Sequence, residues 1–177
     1  LYTCLARGCP LGCTYCMNNY FKKIYSNWGK IRYRSSKNSI KNLKKVVNKF
    51  KPSYLYLLED DFFLRPIENI KEFSRLYSKL IKKPFAVQGT PLSFSEEKLK
   101  ILIKGGLDLA IIGIQSGSER INREIYHRYL SDNNQIFKIA KIINKYKHKL
   151  SPPWYDFIID NPYESEKDML ATIKLIG

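Results

Sequence analysis

At 177 residues the chain has room for one substantial core, and no run of about 18 uncharged apolar residues offers a membrane span. Four cysteines are too few for a disulfide scaffold of this length, and unpaired thiols point to a reducing, cytoplasmic setting. The net charge of +15 is uneven: residues 1–58 carry twelve Lys or Arg and no acid, so +12 falls in the first third and +3 in the rest. Such a stretch suits nucleic acid, an anionic substrate or an acidic electron donor. The plainer reading is a solvated helix, and it is preferred because no nucleic-acid module accompanies the charge.

In chain order, Leu1 to Leu5 is a short apolar strand with no signal-peptide pattern, and a start at Leu1 rather than at a methionine leads us to expect a piece of a longer chain. Ser39 to Phe50 carries Ile40, Leu43, Val46, Val47 and Phe50 at helical spacing with lysines on the other face. Tyr54 to Leu58 reads as a strand ending in Glu59, Asp60 and Asp61. Ile70, Phe73, Leu76, Tyr77 and Leu80 mark a second helix, and Phe85 to Val87 a third strand ending at Gln88. Ser95 caps a third helix that stops at Gly105 and Gly106. Leu109 to Ile114 is nearly continuous in apolar residues, as in a strand buried on both faces. A helix over Ile136 to Tyr146, a strand over Trp154 to Ile159 and a helix over Ser165 to Ile176 follow, the last with Ser165 and Asp168 spaced as a capping box. Five βα units in a row predict an α/β fold with a parallel sheet. In a (β/α) barrel the chemistry gathers at the C-terminal strand ends. Each unusual polar cluster falls at such an end.

The first of these clusters is Arg-Gly-Cys-Pro-Leu-Gly-Cys-Thr-Tyr-Cys, residues 7–16. Thiolates at C-x3-C-x2-C can wrap one loop around an iron–sulfur cube and leave the fourth iron without a protein ligand, whereas electron-transfer clusters usually take four cysteines. Zinc fingers favour paired C-x2-C or His-containing sets, and His127 and His148 both lie far from the loop in sequence. Cys4, in an apolar stretch, reads as a small buried strand residue, with a fourth cluster ligand as the lesser alternative. Glu59, Asp60 and Asp61 would be costly to bury without a cationic partner.

With an aromatic before its last cysteine, the motif resembles the signature of the radical S-adenosylmethionine (SAM) enzymes. Ile-Gly-Ile-Gln-Ser-Gly-Ser-Glu (residues 112–119), Leu-Glu-Asp-Asp-Phe-Phe (58–63) and Tyr-Asp-Phe-Ile-Ile-Asp-Asn-Pro-Tyr-Glu (155–164) resemble segments of the branch often fused to a cobalamin-binding domain. The resemblance spans essentially the whole chain. It implies a partial (β/α)6 TIM-like barrel over residues 1–177, five units visible and the sixth expected beyond them. It implies a [4Fe–4S] cluster on Cys9, Cys13 and Cys16, with SAM on the open iron. One electron would then cleave the sulfonium to a 5′-deoxyadenosyl radical that abstracts hydrogen from a small or macromolecular substrate. Implied SAM contacts are Tyr15 near adenine, Gln115 and Ser116, Ile158 and Asp160, and one of Glu59, Asp60 and Asp61. The family's Gly-Gly-Glu is replaced by that acidic trio, so the motif does not single out one member. An acidic flavodoxin or ferredoxin would supply the electron, and any cobalamin would enter through a domain outside this chain. The competing reading is a non-catalytic iron–sulfur or zinc module that binds RNA through its basic third.

Overall fold

The computed structural model describes residues 1–129 and 132–177. Its strands are β1 (Tyr2–Thr3), β2 (Ala6–Arg7), β3 (Arg32–Tyr33), β4 (Leu55–Leu57), β5 (Phe85–Gly89), β6 (Leu107–Gln115) and β7 (Trp154–Phe157). Its α-helices are α1 (Met17–Ile24), α2 (Ser36–Phe50), α3 (Ile67–Leu80), α4 (Glu96–Gly105), α5 (Asn133–Lys145) and α6 (Glu166–Ile176). The strands β1, β4, β5, β6 and β7 pair in parallel in that order, as the βα alternation predicts, while β2 and β3 form a small antiparallel ribbon.

Alternation along the strands assigns the two faces. Leu55, Leu57, Phe85 and Val87 point to the helices, where Ile40, Leu43, Ile70, Phe73, Tyr77, Leu99 and Leu102 complete the buried core. Tyr54, Tyr56, Ala86, Leu109 and Ile111 line the opposite face. That face is concave. Tyr56 of β4 and Trp154 of β7 lie three strand spacings apart along the sheet, about 14 Å if it were flat, yet their ring centroids are 6.4 Å apart. The curling directs the C-terminal strand ends towards one another, as in a partial TIM barrel.

Caps set the helix starts. The Ser95 hydroxyl accepts from the Lys98 amide, and Gly106 closes α4 at φ 108°, a left-handed conformation that favours glycine. The capping box of α6 forms as its sequence predicts. Its Asp168 also receives Arg120 at 2.6 Å and the Ser118 hydroxyl. Arg120, then Ser118 and Ser165, hold that carboxyl well below the usual range.

Several elements differ from expectation. The first strand is only Tyr2–Thr3, because the backbone turns at Cys4 into the β2–β3 ribbon, which leaves Cys4 exposed at the turn rather than buried in a strand. Helix α1 and that ribbon are absent from the sequence reading: two-residue strands carry no periodicity, and α1 buries no residue fully. The fifth parallel strand stops at Phe157, so Ile158 and Asp160 stand on the loop after it. No helix among the described residues is long and apolar enough to cross a membrane.

Candidate functional site

The cysteine loop leaves β1 through β2 and is braced on two sides. Gly8 has φ 97°, and a Cβ there would stand 2.4 Å from the Lys30 carbonyl oxygen and 2.7 Å from that of Trp28, so only glycine fits. On the other side the Thr14 hydroxyl donates to the Ile125 carbonyl at 2.6 Å, and the Thr14 amide to that of Tyr126 at 3.2 Å. Tyr15 packs edge-on against the Tyr126 ring, with centroids 4.9 Å apart. Cys9 and Cys13 are buried and Cys16 half-buried. All three line one cavity of about 190 Å³ at the C-terminal ends of the strands. Burial pushes the Cys9 thiol up to about 11, against the pull of the Leu11 backbone and Lys22.

Among the described residues no three Cys, His, Asp or Glu side chains converge tightly enough to hold a single metal ion. Three thiols on one cavity are the donor set of a cluster in which each cysteine binds a different iron.

The acidic trio divides by direction. Asp60 alone lines the cavity, and it accepts from Asn18 Nδ2 at 2.6 Å. Asn18 in turn accepts from Trp28 Nε1 at 2.6 Å. Glu59 turns away, 2% exposed, and binds Arg65 through both carboxylate oxygens, one of them to Nε at 2.8 Å. The Arg65 guanidinium sits 4.9 Å from the centroids of both Tyr33 and Phe62. Burial pushes the Glu59 carboxyl up and Arg65 opposes it. Asp61 ties β4 to β5: it accepts from the Phe63 amide at 3.0 Å, the Thr90 amide at 3.1 Å and the Ser93 hydroxyl. Glu59 and Asp61 are thus held away from the cavity by partners within the fold, and Asp60 is held beside it by Asn18.

Gln115 and Ser116 also part company. Gln115, at φ 74°, sits where the β6–β7 register slips and reaches the cavity across Gly113. A Cβ on Gly113 would stand 2.6 Å from Gln115 Nε2. Ser116 is fully buried below the cavity rim, 3.3 Å from the Thr172 hydroxyl, and it accepts from the Ser118 amide at 3.1 Å. Tyr15 is shared with an adjoining cleft of about 580 Å³, whose walls include Tyr126, Ile158 and Asp160.

Sequence reasoning overlooked Arg128, Asn18 and Asp156, all of which line the cavity. Arg128 is 2% exposed and donates to the carbonyls of Gly113 at 2.8 Å and Ile114 at 3.2 Å. Its Nε has no partner, and no described carboxylate pairs with it. In sequence it is one of three arginines in a mixed-charge segment with Glu119 and Glu124, so nothing marks it. Only the turn through the π-helical segment Ile121–Ile125 brings it under β6.

A family model described as the radical SAM superfamily matches residues 3–176. No curated protein matches the chain. Among solved structures, the radical SAM methyltransferase TsrM from Kitasatospora setae, with cobalamin and a [4Fe–4S] cluster bound, superposes with a TM-score of 0.80 at 11% identity, over 99% of this chain and 31% of TsrM. Coproporphyrinogen III oxidase (HemN) from Escherichia coli gives 0.62 at 14% identity, over 80% and 34% of the two chains. Elp3 from Methanocaldococcus infernus gives 0.56 at 12%, over 98% and 41%. The likeness is one of fold, and this chain spans about a third of the length of TsrM.

Proposed function

This chain belongs to the radical SAM superfamily, and on that premise we propose that residues 1–177 are a core domain that binds a [4Fe–4S] cluster and SAM for radical chemistry. The observation that carries the reading is one cavity at the strand ends, ringed by Cys9, Cys13 and Cys16 and holding a buried guanidinium with no carboxylate partner. When bound, the cluster supplies an open iron and one electron for reductive cleavage of SAM to a 5′-deoxyadenosyl radical.

The chain's own residues bind and orient. The three thiolates hold the cluster. Asp60, fixed by Asn18, accepts the amino group of the methionine moiety. Arg128 receives its carboxylate, because a buried arginine with spare donors is an anion receptor. Gln115 both donates and accepts, as ribose hydroxyls require. Tyr15, Ile158 and Asp160 flank the adenine in the adjoining cleft. Cobalamin, bound in the TsrM structure, is assigned to a domain outside these residues.

Anaerobic reconstitution tests the reading. A cubane spectrum perturbed by SAM, with 5′-deoxyadenosine formed on reduction, is expected; a stable colourless zinc protein overturns it. Within the site, Asp60→Ala and Arg128→Ala are each expected to weaken SAM binding about 10- to 100-fold, from loss of a charged hydrogen bond of about 1.5–3 kcal/mol. Asp61→Ala and Ser116→Ala should instead lower the unfolding midpoint and leave SAM affinity nearly unchanged. Calorimetric titration showing tight binding by Asp60→Ala, or weak binding by a well-folded Asp61→Ala, would reverse the assignment.

Within this reading the acid-free first third offers a docking face to an acidic one-electron donor of the flavodoxin or ferredoxin kind, against the plainer reading of a solvated face. Lys44, Lys45 and Lys49 lie exposed on α2. Reversing all three to Glu should slow reduction by such a donor, most at low salt, and leave reduction by dithionite alone, because exposed charges are screened over about 10 Å at 0.1 M. Equal rates with both donors would reduce the charge to a solubility feature.

A further inference from the structure

The cysteine loop has a cation built against it that the proposed SAM contacts do not use. Lys22, six residues after Cys16 on α1, folds back so that its ammonium donates to the carbonyl of Leu11, between Cys9 and Cys13. Its stem runs over Gly29, where an added Cβ would stand 3.6 Å from Cε and 3.9 Å from Cδ. Residues 1–58 contain no acid, and no described carboxylate pairs with Lys22. The side chain is half-buried, so its charge is only partly screened by solvent.

From this placement we propose that Lys22 is a potential-setting residue: its fixed positive charge raises the reduction potential of a cluster held by Cys9, Cys13 and Cys16. The inference rests on the cluster reading above. In the step concerned, the cluster gains one electron and a low-potential one-electron donor loses one, with no proton transferred. The reduced cluster is one charge more negative, so a neighbouring cation stabilises it over the oxidised form. Net charge near the cluster is among the factors that set iron–sulfur potentials. The anchorage gives the charge a fixed position, since the Leu11 carbonyl holds the ammonium and Gly29 leaves room for the stem.

The experiment is a redox titration of the anaerobically reconstituted chain, followed by electron paramagnetic resonance, with iron content measured on each sample. Lys22→Gln keeps a donor for the Leu11 carbonyl and removes the charge, whereas Lys22→Arg keeps the charge. Lys22→Gln should lower the reduced-to-oxidised ratio at a fixed potential about tenfold, a midpoint shift of about 59 mV for one electron, while Lys22→Arg stays near wild type. A second pair leaves Lys22 in place. Gly29→Asp sets a carboxylate against its stem, and Gly29→Asn is the neutral control; only the Asp variant should shift the midpoint negative. An unchanged midpoint in Lys22→Gln or Gly29→Asp at wild-type iron content overturns the proposal. If Lys22→Gln fails to take up iron, the Gly29 pair decides alone. A wild-type chain that takes up no cluster overturns the functional reading itself, which separates the two failures.

Discussion

Alanine at any one of Cys9, Cys13 or Cys16 is expected to abolish cluster uptake, and Cys4→Ala to leave it intact. The three cysteines share one cavity, and no other cysteine lines it. Cys4 lies outside that cavity, exposed, with its thiol donating to the Ala6 carbonyl at 2.6 Å, where the chain turns into the β2–β3 ribbon. A site with three thiolates has no spare ligand, so losing one removes the cluster rather than weakening it. Iron and sulfide content after reconstitution, read beside the visible spectrum, checks the set. Cluster loss in Cys4→Ala with retention in Cys9→Ala would transfer the ligand role to Cys4.

Breaking the buried pair behind the site should be nearly as severe, but in stability. Arg65→Met leaves the Glu59 carboxylate buried and unpaired, which costs about 3–5 kcal/mol. The pH dependence carries a sign. Burial already raises Glu59, and without Arg65 the rise is larger. An acid whose pKa is raised in the folded state destabilises the fold at high pH. The penalty shrinks as pH falls through the raised value towards the unfolded one, about 4.3. Denaturant midpoints for Arg65→Met should therefore recover in mild acid, whereas Glu59→Gln, which strands a permanent cation, should not. Replacing both with apolar residues of similar volume should restore much of the loss. A deficit in Arg65→Met that ignores pH would mean the ion pair is not its source.

The division of the acidic trio shows where sequence reasoning stops. Apolar alternation marks Tyr54 to Leu58 as a strand, and the strand-end rule brings Glu59, Asp60 and Asp61 to the site as a group. Their individual directions depend on Arg65, held between the Tyr33 and Phe62 rings, and on Thr90 and Ser93 from the next βα unit. No local pattern encodes those partners. The same holds for Ser116, whose motif resembles a cofactor segment but whose hydroxyl meets Thr172 on α6. The convergence of Cys9, Cys13 and Cys16 on one cavity was legible because their spacing is local to eight residues. Arg128 was not, since its significance lies in burial without an acid, and burial is a tertiary property.

Because the strands pair largely in sequence order, most of the sheet can form between near neighbours along the chain. The cysteine loop is different. It is fastened by Thr14 to Ile125 across 111 residues and by Asn18 to Asp60 across 42. Closing such long loops costs entropy before any contact repays it, so these fastenings belong to the late steps of folding. They rest on a few hydrogen bonds at the surface rather than on the core, which places them among the first regions to open in the native state. Refolding chains should accordingly regain helical circular dichroism before they gain the capacity to load iron. A cluster could also be inserted into, or lost from, a domain whose sheet stays folded.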